Sequence, residues 1–222
     1  MHGKTILIVG ARSVIARSLA ERFSAAGASL ILTTTTGEPV ESQPTARVEQ
    51  LDLSNRSSIE AFLERMSGVR LDGVVVAAGV VAFGSLESTP MSVSNQLMQI
   101  NASGPIELVT GLVENLKLGE DPFVVTLSGK IAEIPTAGMA AYSASKAALY
   151  AFSVAAAREL RRSGIRWIDA RPGHTETGLA GRAIHGDAPA FGVGMNPQDV
   201  ADRIVLAIQS GEKDLPSSSF EA

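Results

Sequence analysis

The chain has 222 residues, 45% apolar and 19% charged, with a formal net charge of −4 at neutral pH, which is one domain by size with ample chain for a core. The acidic balance carries no nucleic-acid footprint, and the lack of cysteine excludes disulfides and cysteine-based metal sites, which suits a reducing compartment. The three histidines (His2, His174, His185) are scattered, so no metal is expected, and no apolar run approaches the roughly 18–20 residues of a membrane span.

The chain opens with a continuous apolar run over 4–9, as in a strand buried on both faces of a parallel sheet. The run is too short for a signal peptide, so a soluble cytoplasmic protein is expected. Gly10-Ala11-Arg12-Ser13 follows, and apolar residues then recur at helical spacing over 14–26 (Ile15, Leu19, Phe23) until Gly27. A strand, a tight glycine turn and a helix form the first half of a dinucleotide-binding unit. Its loop residues Gly10, Arg12, Ser13 and Ile15 face a pyrophosphate. Only Gly10 of the usual glycines is present, because Val14 and Ala16 hold the later positions.

A second strand is expected over 29–33, running into Thr33-Thr34-Thr35-Thr36 with no carboxylate before Glu38 to bond a ribose 2′-hydroxyl. That omission, with Arg12 in the loop and Thr33 beside it, tilts the expectation to NADP(H), with NAD(H) as the other option. A surface arginine beside an uninvolved threonine run competes on nearly even terms. Pro39 and Pro44 leave the usual crossover helix short or missing. A third strand over 48–51 ends at Asp52-Leu53, and Ser54 or Asn55 caps a helix over 57–66. A fourth buried run over 73–79 ends at Ala78-Gly79. Residues 93–115 are largely helical, kinked or divided by Pro105, with Asn101 four residues before it. A fifth strand over 123–127 ends at Ser128-Gly129, and a sixth over 165–170 leads into Arg171-Pro172-Gly173, with Trp167 in the core. Residues 178–194 are rich in Gly and Ala and read as a mobile segment covering the substrate. Asn196-Pro197 starts the last helix, to about 210, and the tail from 217 is expected to fray.

Six short apolar strands alternating with helices argue for an α/β fold, a Rossmann-type doubly wound parallel sheet flanked by helices in a single domain. Right-handed crossovers bring every strand's C-terminal end to one edge, beside the ligand crevice. Gly10, Asp52, Gly79, Ser128 and Pro172 all fall directly after strands.

The most informative stretch is Ala141-Tyr142-Ser143-Ala144-Ser145-Lys146. Spacing of four residues on a helix puts the phenol and the ammonium on one face, one turn apart. A phenol titrates near 10 in water, and a fixed cation nearby favours the phenolate and brings it within range of acid–base work.

In this arrangement the chain resembles the short-chain dehydrogenase/reductase family over nearly its whole length. Tyr142-x-x-x-Lys146 is similar to its active-site signature, and Pro172-Gly173 with Thr175 and Thr177 to its P-G-x-x-x-T segment. Ala78-Gly79 is similar to the end of its N-N-A-G, and Asp52-Leu53 to its adenine contact. Asn101 falls at the family's helical asparagine. The resemblance implies that Tyr142 exchanges a proton with the substrate oxygen and that Lys146 lowers its pKa and binds the nicotinamide ribose. Asn101 would hold a water linking Lys146 to solvent, and a serine would hydrogen-bond the substrate carbonyl. It further implies a small-molecule carbonyl or alcohol substrate and a homodimer or homotetramer.

Three departures stand out. The glycine loop reads G-A-R-S-V-I-A, Ala77 replaces the second Asn of N-N-A-G, and Gly129 stands at the serine position with Ser128 one residue early. A shift in the following loop would bring Ser128 into place as the fourth catalytic group, beside Tyr142, Lys146 and Asn101. Two functions follow: an NAD(P)-dependent carbonyl reductase or alcohol dehydrogenase, or a catalytically weakened dinucleotide-binding sensor or partner subunit.

Overall fold

The computed structural model describes residues 1–221. The first strand, β1 (Thr5–Val9), is buried on both faces: Ile6 and Ile8 point into one apolar layer and Leu7 and Val9 into the other. That period-two split is why residues 6–9 of the run are all apolar. The chain turns at Gly10, whose φ is +79° and where a Cβ would lie 2.8 Å from the Cα of Ala78. No residue with a side chain fits that approach without displacing the Ala78 backbone.

Helix α1 (Val14–Ala25) starts at Ser13, whose Oγ accepts from the Ala16 amide at 3.2 Å. Strands β2 (Ser29–Thr34) and β3 (Arg47–Gln50) follow, joined without a helix through the Pro39 and Pro44 stretch. Helix α2 (Arg56–Arg65) is capped by Asn55, and β4 is Gly73–Val76.

The helix expected over 93–115 is four pieces: α3 (Met91–Met98), a π-helical turn (Gln99–Ser103), α4 (Gly104–Gly111) and α5 (Val113–Lys117). The break precedes Pro105 rather than falling on it. Pro105 has no N–H to give the carbonyl of residue 101, and the wider π turn takes up that loss.

Strand β5 (Phe123–Leu127), helix α6 (Ala140–Leu160), strand β6 (Arg166–Ala170) and helix α7 (Pro197–Ser210) complete the fold. The sheet is parallel, in the order β3-β2-β1-β4-β5-β6. The order reverses between β1 and β4, and the crevice opens at that switch point. Helices α1 and α7 cover one face through Leu19, Phe23, Ile204 and Ile208. Helices α2, α4 and α6 cover the other through Ile59, Phe62, Leu108 and Ala156, joined by Trp167 of β6.

The tail differs from expectation. Ser217–Phe220 forms a 3₁₀ turn, the Ser217 amide donates to both Glu133 oxygens at 3.3 Å, and Glu221 pairs with Lys130 at 2.7 Å. Long-range polar partners, with Phe220 packed against the core, hold a segment whose sequence is mostly polar; the last residue of that expectation, Ala222, lies outside the described residues. Residues 178–194 are tied to the body by two backbone bonds, Phe83 to His185 and Ile184 to Val81, both 2.9 Å.

Candidate active site

One cavity of about 920 Å³ runs along the C-terminal ends of the strands. Every residue assigned from the sequence to the cofactor lines it: Gly10, Arg12, Ser13 and Ile15 at one end, Thr33, Asp52, Leu53, Ala78 and Gly79 along the floor, and Tyr142, Lys146, Pro172, Gly173, Thr175 and Thr177 at the other. Parallel strands ending on one edge make this unavoidable once the sheet order is set.

At the first end, Arg12 pairs with Glu38 at 2.9 Å, both well exposed. The sequence reading passed over Glu38 as too far down the chain. The missing crossover helix lets it fold back onto the glycine loop. Thr33 is buried and its Oγ1 accepts from the Gly10 amide at 3.3 Å, so its hydroxyl props the loop from behind. Asp52 accepts from the Ser54 amide and hydroxyl at 2.8 and 2.7 Å, turning the chain at the end of β3.

At the other end, α6 delivers Tyr142 and Lys146 one turn apart. Lys146 is buried, its ammonium 6.0 Å from the Tyr142 ring centre, and it donates to the Leu127 carbonyl at 2.8 Å. Burial pushes the Lys146 pKa down to about 8, with Asp169 pulling it back up. Burial also pushes the Tyr142 phenol up to about 12. That direction is opposite to the lowering expected from the lysine, whose ammonium is bonded to the Leu127 carbonyl.

Asn101 sits in the π turn, buried behind the cavity. Its Oδ1 accepts from the Val80 amide at 2.9 Å, and its Nδ2 donates to the Val80 carbonyl and Ser145 Oγ at 2.9 and 3.1 Å. Ser145 in turn donates to the Tyr142 carbonyl at 2.8 Å. Asn101 therefore fastens the segment after Gly79 to the N-terminal part of α6. A Cβ on Gly79 would lie 3.2 Å from Asn101 Oδ1 and 3.3 Å from Lys146 Nζ, so that residue sits between them.

Ser128, one residue short of the serine position and expected to reach it through a shift of the following loop, lines the cavity but is engaged from behind. Its side chain is fully buried and donates to Asp169 Oδ2. Strand alternation explains the direction: Ser128 lies two residues after Thr126 and shares its face, where Thr126 also bonds Asp169, at 2.6 Å. Gly129 follows with φ +76°, and the next two amides are spent on Ala170 and Pro172 at 3.2 and 2.9 Å. A serine at 129 would meet only an ordinary contact, the Pro172 carbonyl at 3.6 Å, but a strained backbone.

The wall facing Tyr142 is largely apolar, with Phe83, Ile134, Met139, Leu179 and Phe191. Phe191 stacks on His174 at 4.5 Å and lies 6.0 Å from Phe83. Glu176 accepts from the Gly194 amide at 2.7 Å, closing the far end of the 178–194 segment. Sequence reasoning missed Asp169 and Arg171. The available signal was an acid near the end of a strand that is otherwise buried on both faces, two residues before an arginine.

Comparisons with known proteins agree with this architecture. A family model described as short chain dehydrogenase matches residues 4–187. Among characterised sequences, a dehydrogenase/reductase SDR family protein 7-like of Drosophila melanogaster is 30% identical across 100% of this chain and 74% of its own length. The 2,3-dihydro-2,3-dihydroxybenzoate dehydrogenase of Escherichia coli is 26% identical, covering 92% of this chain and 89% of that protein. Among solved structures, a Burkholderia cenocepacia short chain dehydrogenase in complex with NADP superposes with a TM-score of 0.85 at 19% identity, covering 97% of this chain and 88% of that one. On the family match and a relative that aligns with the whole of this chain, the chain belongs to the short-chain dehydrogenase/reductase family.

Proposed function

We propose that this protein is an NAD(P)-dependent oxidoreductase acting on a carbonyl or alcohol substrate, with NADP(H) preferred. The observation that carries this reading is the placement of Tyr142 and Lys146 on one turn of α6, at the end of a cavity whose other end is a glycine turn and a capped helix N-terminus. The residues present fit a dinucleotide. Gly10 keeps the loop flat against Ala78, the first turn of α1 carries no acidic residue, and Gly79 leaves the approach to Lys146 open. When bound, the nicotinamide supplies or takes the hydride.

The chain's own residues do the rest. Tyr142, protonated across the neutral range, donates to the substrate oxygen on reduction, and the same atom accepts the proton on oxidation. Lys146 positions the ribose and supplies positive charge below about pH 8. Asn101 fixes the N-terminal part of α6 against Val80, and its amide is the candidate water holder. Apolar Phe83, Met139 and Phe191 favour a small or medium hydrophobic substrate, covered by the 178–194 segment. NADP(H) preference rests on Arg12 and on a β2 that ends without a carboxylate. A cytoplasmic homodimer or homotetramer fits the exposed Met91, Met98 and Leu118 on the α3–α5 side, and among the described residues no helix is long and apolar enough to cross a membrane.

A second reading, a catalytically weakened dinucleotide-binding sensor or partner subunit, is favoured by one observation: Ser128 is committed to Asp169 and Gly129 brings no hydroxyl. Cofactor binding followed by Tyr142→Phe separates the two. Turnover should fall about 10³-fold with the Kd for NADPH within about twofold. Undiminished turnover sinks the mechanism. Tight binding with no turnover on a carbonyl screen favours the sensor, and no binding of NADPH or NADH ends both readings.

A further inference from the structure

Behind the Tyr142–Lys146 pair lies a buried charge cluster that the reading above leaves unused. Asp169, 3% exposed, takes hydrogen bonds from three donors. Its Oδ1 accepts from Thr126 at 2.6 Å, and its Oδ2 accepts from Ser128 and from Arg171 Nη1, the latter at 3.1 Å. The Trp167 indole donates to Thr126 at 3.1 Å and Ser153 donates to the Leu149 carbonyl at 2.8 Å, which leaves the Thr126 proton for Asp169. Burial pushes the Asp169 carboxyl up from its ordinary range, and the two oriented hydroxyls and the guanidinium work against that by favouring the anion. Arg171 does not neutralise it alone, because that guanidinium also serves Glu133 and the Asp214 oxygens at 2.8 and 2.7 Å, with the Tyr150 ring 4.4 Å away. One buried cation is shared among three carboxylates.

The other cation at hand is Lys146. Lys146, Tyr150 and Ser153 fall on one face of α6, the face laid over β5 and β6. The lysine's ammonium rests on the Leu127 carbonyl, between Thr126 and Ser128, the two residues whose hydroxyls grip Asp169. The charged or titratable groups around the lysine are Tyr142 on its own helix and Asp169 from β6, with Arg171, Glu133 and Asp214 beyond. Asn101 and Gly79, on the β4 side, carry no charge.

We propose that Asp169 is the counter-charge of Lys146, a positioning residue that keeps the lysine protonated, with Thr126 and Ser128 aiming its carboxylate and Arg171 tying it to the C-terminal segment. The catalytic consequence rests on the oxidoreductase reading; the charge coupling does not. Ser128 thereby supports the lysine from behind instead of meeting substrate.

The test is direct titration of Lys146 by its ¹³Cε resonance in lysine-labelled protein, which has only five lysines to resolve. The wild-type midpoint is expected near 8. In Asp169→Asn it should fall by about 1 pH unit or more, the effect of removing a neighbouring opposite charge. Asp169→Glu and Ser128→Ala, which keep the carboxylate, should leave it within a few tenths of wild type. An unmoved midpoint in Asp169→Asn, or an equal shift in Ser128→Ala, overturns the proposal. Should Asp169→Asn not fold, the coupling is read in reverse from Asp169 ¹³Cγ in Lys146→Met. That midpoint must rise by a comparable amount, and an unmoved one overturns the proposal. NADPH and NADH titrations on the same samples separate the two claims. A lysine shift without cofactor binding keeps the charge pair and removes the oxidoreductase reading, and binding without a lysine shift does the opposite.

Discussion

Arg12 and Glu38, at the β1–β2 end of the cavity, pair at 2.9 Å with 60% and 67% of their side chains exposed, whereas Arg171 and Asp169, behind the β5–β6 end, pair at 3.1 Å with 2% and 3% exposed. The chemistry is the same and the surroundings decide what each pair does. In water the first pair is screened and contributes about 0–1 kcal/mol, so a ligand can displace it at little cost. Out of water the second cannot be left half-made, because removing one partner strands a charge at about 3–5 kcal/mol. One end is arranged for exchange and the other for permanence.

The sharpest way to break that contrast is Arg171→Met. It leaves Asp169, Glu133 and Asp214 without their shared cation, and should cost about 3–5 kcal/mol at pH 7 by urea denaturation. The loss should shrink in acid. Arg171 helps hold the Glu133 carboxyl below its usual 4.5. That stabilisation is present above the unfolded value and lost as pH falls through the folded one. Wild type and variant should therefore converge below about pH 4.5. A variant as stable as wild type at pH 7 would mean the buried cluster is no more costly to break than the exposed pair.

Next in size is Lys146→Met, with the opposite sign. A shift from 10.5 to about 8 means the buried ammonium costs on the order of 3 kcal/mol at neutral pH, and the lost bond to Leu127 returns about 1. The variant should be more stable than wild type by about 1–2 kcal/mol at pH 7, with cofactor affinity lost. The folded lysine sheds its proton near 8 and the unfolded one near 10.5, so wild-type stability rises with pH across that window and the advantage of methionine fades. The cost already includes the pull of Asp169, so a destabilised Lys146→Met at pH 7 would mean that the charge pair is stronger than a midpoint near 8 allows.

Much of this was legible in the chain. Runs with no polar residue, such as 6–9 and 73–76, read as strands buried on both faces because period two gives them no solvent side. Tyr142 and Lys146 were found because spacing of four on a helix fixes a shared face, and Asn101 through the family resemblance. Ser128 was placed in sequence but not in direction, although its alternation with Thr126 carried the answer. Asp169 escaped notice because its partners, Thr126, Ser128 and Arg171, come together only when β5 and β6 pair in register. The tail read as frayed for the same reason: Glu133 and Lys130, which hold it, lie more than 80 residues away in sequence. Local pattern reports burial well and long-range polar partners poorly.

The smallest effect is at the exposed end. If Arg12 is the 2′-phosphate receptor, Glu38 competes with that phosphate for the same guanidinium, and the contest is nearly even because the surface pair contributes about 0–1 kcal/mol. Glu38→Gln removes the competitor and a like charge beside the incoming phosphate. It should tighten NADPH about two- to fivefold at low salt, leave NADH unchanged, and lose most of the gain near 1 M salt, where the Debye length is about 3 Å. Arg12→Gln should weaken NADPH about tenfold, the loss of one charge-assisted contact, again sparing NADH. The informative failure is weaker NADH in Glu38→Gln with NADPH unmoved. The carboxylate would then be reading a ribose 2′-hydroxyl from an unusual position, four residues past the end of β2, with Arg12 merely steadying it. That outcome would reverse the cofactor preference, leave the family and the Tyr142 chemistry in place, and turn the exposed pair from a displaceable gate into a fixed part of the site.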